Sequence, residues 1–246
     1  MRNLCLFLLM LSINPHASAG LVAASTRMIY QPESRERTLM LANTNDYPVV
    51  VQTWVDDGDV DSTPDQAKAP FMVLPAVFKM QPGAAQGLRI INKGDNLPSD
   101  RESVYWLNLY EIPPKSRRNT DAYAQVAMAM NTQMKIFYRP AGLTPQPAEA
   151  MKKVSFTLNK QNKEYVLTAH NPTPYHVSFG QIQLKNRQQS YTIAQEMNMM
   201  LAPFAERQYQ FEHSPTSLSG EQTLDYVYFD DAGNQVKNSQ LVKVTP

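Results

Sequence analysis

Cysteine is almost missing from this 246-residue chain; Cys5 is the only one. A single thiol can close no intrachain disulfide and complete no thiolate zinc site. An excess of charge is missing as well. Lys and Arg number 23 against 22 Asp and Glu, a net charge of +1, which argues against nucleic acid or an anionic membrane as partner. No apolar run is long enough to span ~30 Å of hydrocarbon. Reactive motifs are also lacking. None of His170, His176 and His213 stands in an H-E-x-x-H pair, and no G-x-S-x-G elbow or G-x-x-x-x-G-K-[ST] phosphate loop occurs. The chain therefore offers no expected catalytic residue, cofactor site or metal site, and a non-enzymatic role is expected.

What is present begins with "MRNLCLFLLMLSINPHASAG". Arg2, an apolar core from Leu4 to Leu11 and the small residues Ala17-Ser18-Ala19 read as a secretory signal peptide, residues 1–19, cut after Ala19. Cys5 leaves with it. The 227 remaining residues (246 − 19) must be held by apolar cores alone, and they are enough for two.

From Gly20 onward short apolar runs alternate with turn signals: "TLMLANTN", "YPVVVQTWVDD", "GLRIINKG", "SVYWLNLYEIPP", "KVSFTLNK", "EYVLTAHNPTP", "VSFGQIQLKN" and "TLDYVYFDDAG". Their Val, Ile, Tyr, Phe and Thr content and their spacing predict an all-β sandwich architecture with few, short helices. The seam is "RPAGLTPQPAE", whose three prolines fix φ and remove backbone donors. The division expected is a first domain over 20–140, a linker over 141–148 and a second domain over 149–246, with a cleft between the sandwiches.

One stretch resists a single reading. In "AQVAMAMNTQMKIFYRP", residues 124–140, the composition favours helix, while larger Val126, Met128 and Met130 alternate with Ala127 and Ala129 at the period of a strand. By pattern alone it is an ordinary core strand with small residues at a tight sheet interface. Its continuation "MKIFYRP", with "DRESVYWLNLYEIPP", "NPTPYHV", "STRMIY", "LPAVFKMQPG" and "LAPFAERQ", resembles the periplasmic chaperones of the chaperone–usher pathway, the PapD-like proteins that assemble pili and fimbriae. The resemblance runs from about Leu21 to Val244.

That resemblance implies two immunoglobulin-like domains set in an L and a mechanism of donor-strand complementation. Matched to the family's motif, Val126, Met128 and Met130 are the side chains lent to a subunit lacking its last strand. Arg27 and Lys135 are the cations that bind the subunit's C-terminal carboxylate, and Glu102, Arg139 and Asp231 form an ion-pair network between domains, with Asp230 an alternative to Asp231. The partners implied are fimbrial subunits and an outer-membrane usher, with room for self-association of the free protein and none for nucleic acid. The location implied is the periplasm, and no cofactor is implied. Only eleven residues separate "EIPP" from Val126, which is similar to the short-loop subclass. The competing expectations are a structural fimbrial subunit or adhesin, and a secreted β-sandwich that binds or hydrolyses carbohydrate.

Overall fold

A computed structural model describes residues 20–94, 97–114, 128–161, 164–186, 189–218 and 220–245. The first half holds β1 (Leu21–Ala23), β2 (Arg27–Tyr30), β3 (Glu36–Asn43), β4 (Val49–Asp56) and β5 (Phe71–Leu74). It continues through β6 (Val77–Met80), β7 (Ala85–Asn92), β8 (Ser103–Ile112) and β9 (Met130–Tyr138). Each of the eight quoted apolar runs contains a strand. They alternate because one face of each must leave water while the other meets it.

Two sheets face one another, ordered β1-β3-β7-β5 and β2-β9-β8-β4-β6. The inward set, including Leu39, Leu41, Val51, Leu88, Ile90, Leu107, Leu109 and Ile136, is fully buried. The N-terminal segment serves both sheets: β1 pairs with β3, the chain shifts across, and β2 then runs parallel to β9. That shift carries Arg27 to the edge of the second sheet, directly beside Lys135.

The second half opens with one helical turn, α1 (Pro147–Ala150), with proline at the position where a missing N–H does no harm. A 3-10 turn over Met151–Lys153 follows, then β10 (Ser155–Gln161), β11 (Glu164–His170), β12 (Val177–Lys185) and β13 (Ser190–Thr192). β14 (Met200–Leu201), β15 (Glu206–Tyr209), β16 (Glu221–Phe229) and β17 (Gln235–Thr245) complete it. Hydrogen-bonded order runs β13-β12-β16-β17-β10-β11-β15. Here Leu158, Leu167, Ile182, Leu184, Tyr209 and Leu224 form a separate core.

Between the two cores lies a small third one, Leu143, Ala150 and Tyr175, with the Tyr175 hydroxyl donating to the Leu143 carbonyl at 3.2 Å. The segment "NPTPYHV" stands at the boundary between the domains. Asn171, buried, donates to the carbonyls of Tyr175 and Ala202 and so shapes a bend that presents Pro174 and His176 to the first domain. There Glu102 N–H donates to the Pro174 carbonyl at 2.9 Å.

The turn "DAGN", residues 231–234, joins β16 to β17. Gly233 has φ +85°, and a Cβ there would stand 2.5 Å from Oγ1 of Thr26 in the first domain, so glycine is required both by conformation and by close approach.

Candidate functional site: an open strand edge ending at two cations

The side chains of β9 divide into two rows. Even-numbered positions face the core side of the sheet. Along that one face Ile136 and Met134 are buried, at 0% and 3% exposure, while Met130, the first residue of β9, and Met128, two residues before it, stand 59% and 73% exposed. The change has a plain cause. Met134 and Ile136 belong to the core shared with the facing sheet, whereas Met130 and Met128 do not, and the pairing partner of Met130 is Glu111, one residue from the end of β8. The backbone edge changes at the same place. β2 covers only Lys135 to Tyr138, leaving the edge of β9 before Lys135 without a neighbouring strand among the described residues. Val126, the third side chain of the expected set, and the eleven-residue loop lie outside the described residues.

Arg27 and Lys135 meet at the foot of that free edge, as adjacent partners in the parallel β2–β9 pair. They line a cavity of about 210 Å³ with Thr26, Trp106, Gln133 and, from the second domain, Met197. Both are partly buried. Arg27 lies between the rings of Phe137 and Phe229, 5.8 and 5.2 Å from their centroids, and donates from Nη1 to the Phe229 carbonyl at 3.3 Å. Its Nε is buried with no hydrogen-bond partner among the described residues. Burial pulls the Arg27 pKa down, and Asp230 and Asp231 pull it partly back. The Lys135 ammonium makes no hydrogen bond or ion pair among the described residues. Burial first, then the Arg27 charge, lower its pKa. Two like charges held together out of water disfavour each other until an anion joins them.

The remaining charges brace the domains. Arg139, just past β9, donates from Nε to Glu102 Oε1 at 2.6 Å. Its Nη1 and Nη2 reach both oxygens of Asp231 at 2.6 and 2.7 Å, a bidentate pair. Glu102 is buried and also accepts from the His176 backbone N–H at 2.8 Å. Glu102 and Asp231 together hold Arg139 firmly charged, against its burial. Asp230 faces elsewhere: it accepts from the N–H groups of Ala232 and Asn234 and closes its own turn.

Trp106, Gln133, Phe137, Phe229 and Met197 were not singled out in the sequence. Four of them lie in quoted stretches, but nothing in their spacing marks them. Met197, 94% exposed at the mouth of the cavity, carries no local signal at all.

Comparison with known proteins gives the family of the whole chain. Residues 20–144 match the family described as "Pili and flagellar-assembly chaperone, PapD N-terminal domain", and residues 149–240 match "Pili assembly chaperone PapD, C-terminal domain". The chaperone protein FimB/FhaD of Bordetella pertussis is 34% identical over 90% of this chain and 88% of its own length. The chaperone protein MrkB of Klebsiella pneumoniae is 30% identical over 100% of this chain and 99% of its own. Among solved structures, that of the YadV chaperone superposes with a TM-score of 0.75 at 27% identity, covering 90% of this chain and 98% of that one.

Proposed function

Since the chain belongs to the PapD family of pilus-assembly chaperones, we propose that it captures fimbrial subunits in the periplasm by lending them β9. An incomplete immunoglobulin-like subunit exposes a groove where its last strand should lie, and unpaired strand edges of that kind aggregate. The lent strand fills the groove with Val126, Met128 and Met130 and extends the subunit's sheet through main-chain hydrogen bonds. One observation supports this above the others: methionines on a single face of β9 pass from 3% to 59% exposed within four residues.

The direction of the guest follows. Its carboxylate is to reach Arg27 and Lys135, and these lie at the C-terminal end of the free edge. The guest's final strand therefore runs parallel to β9, in line with β2. Burying each lent side chain contributes roughly 1.5–3 kcal/mol, and each charge-assisted bond to the carboxylate about 1.5–3 kcal/mol. Methionine adapts to grooves of differing shape, which suits a chaperone serving several related subunits. The Arg139 network keeps the second domain beside the cavity. No cofactor, nucleotide or catalytic step is involved, and release to an outer-membrane usher comes through exchange of the lent strand for one from another subunit.

The test is a pull-down of tagged, signal-processed protein from the periplasm beside Lys135→Glu. A small co-purifying subunit present with wild type and lost with the variant is the expected result. A partner that persists with Lys135→Glu would refute the carboxylate anchor. If wild type captures nothing while subunits are expressed, the strand-lending reading itself fails.

A further inference from the structure

Of the odd-numbered row of β9 only Lys135 is used in the function proposed above, yet the row is bonded in an ordered way further up the strand. Asn131 and Gln133 have exposed side chains, and both donate their amides, at 2.9 Å each, to a single atom, Oδ1 of Asn108 on β8. Asn108 is 1% exposed. Its own Nδ2 donates to Oδ2 of buried Asp56 on β4 at 2.6 Å, and Asp56 Oδ1 accepts from the Gly58 N–H at 2.8 Å. The chain of bonds crosses three strands, from a carboxylate in the sheet interior to the exposed half of β9.

The chemistry gives this line a direction. A carboxylate accepting from the Asn108 amide polarises it, so that its oxygen becomes a better acceptor. Two donors then saturate both lone pairs of that oxygen. Register is fixed where it matters, since a slip of one residue would turn Met130 and Met128 away from a guest. The rack acts at Asn131 and Gln133, where neither β2 nor the facing sheet holds the strand.

We infer that Asn108, oriented by Asp56, is a positioning residue for strand lending: it clamps Asn131 and Gln133 and keeps the exposed half of β9 extended and in register before a subunit arrives. The inference rests on the proposed function for its purpose, but the clamp itself can be tested without any subunit. The guest replaces the clamp once bound, so the clamp speeds capture without slowing release. A strand that is competent only a fraction of the time binds more weakly in proportion to that fraction.

The double variant Asn131→Ala/Gln133→Ala removes two exposed amides and opens no cavity. In the free protein, hydrogen exchange at the backbone amides of residues 130–133 is expected to quicken about tenfold, with residues 135–138 and the melting temperature unchanged. With a fimbrial subunit as probe, Asn131→Ala alone, which leaves Gln133 in the lining of the carboxylate cavity, is expected to slow association about threefold and to leave dissociation at the wild-type rate. Asn108→Ala should reproduce both changes, and Asn131→Gln, which keeps an amide donor, should restore part of the protection when paired with wild-type Gln133. Wild-type exchange in the double variant overturns the clamp whatever the subunit does. Slowed association with wild-type exchange also overturns it, because the two amides would then be touching the guest directly. If wild type captures no subunit, the proposed function fails while the exchange measurement still decides the clamp.

Discussion

The two halves of β9 have the same backbone conformation, the same alternation and even the same residue type, and they behave as different materials. Met134 is core; Met130, four positions earlier on the same face, is solvent-exposed. The lower half is covered by a facing sheet, paired on its edge by β2 and braced by Arg139 at its end. The upper half has none of these. Alternation thus chooses a face but does not choose burial; burial needs a second layer opposite that face. In the function proposed above, another molecule supplies that layer for the upper half.

The comparison can be broken most forcefully by one substitution made on both sides of the divide. Met134→Asp places an unpaired carboxylate in the core, at a cost comparable to the ~5–15 kcal/mol that holds a domain together. Loss of the cooperative unfolding transition by circular dichroism is expected. Met130→Asp should leave the unfolding free energy within about 0.5 kcal/mol of wild type and still abolish capture in the pull-down. Equal destabilisation by the two would mean that Met130 is packed in the free protein.

Next comes the brace. Glu102→Ala leaves Arg139 with a half-exposed partner only and strips the His176 N–H of its acceptor. Removing one member of a buried pair costs about 3–5 kcal/mol, to be read from urea unfolding. A loss below about 1 kcal/mol would show that the lower half needs no such brace.

At the junction between the halves, Lys135→Met should move stability and function in opposite directions. Lys135 is partly buried beside Arg27, and its folded pKa lies below the ordinary 10.5. Between the lowered value and 10.5 the unfolded chain binds more protons, so stability of the wild type rises with pH across that window. The variant should lose that rise and be more stable than wild type at neutral pH. Capture of a subunit should weaken by about 1.5–3 kcal/mol, the worth of a charge-assisted bond, and wild-type capture should fade as Lys135 loses its proton on the alkaline side. A variant less stable than wild type at pH 7 would mean that its ammonium already has a countercharge.

The smallest effect is expected at Asp231→Asn. The aspartate side chain is half exposed, so solvent screening limits its worth to at most about 1 kcal/mol. The measurement that matters is the relative position of the domains by small-angle scattering. An unchanged profile would leave Glu102 and the Leu143–Tyr175 contacts as the brace.

Much of this was legible in the sequence. Strand-forming residues in runs of the right length, separated by Asn, Asp, Gly and Pro, specify two sandwiches because the preference is local and repeated. The proline seam divides them for the same reason. The matched motifs pointed to Arg27, Lys135, Glu102, Arg139 and the aspartate pair as residues, but their geometry was beyond reach. Arg27 and Lys135 are more than a hundred positions apart, and only the sheet-switching N-terminal segment makes them neighbours.

What the sequence determined by itself was therefore the period-two pattern, the two cores and the even-numbered face of β9 that would be apolar. Those follow from side-chain chemistry over a few residues. The tertiary structure alone decided where along β9 the apolar face runs out of cover, which of Asp230 and Asp231 meets Arg139, and that Asn108 gathers two amides from across the sheet. Each of these depends on where a distant strand ends or a turn points, and no local preference carries that information.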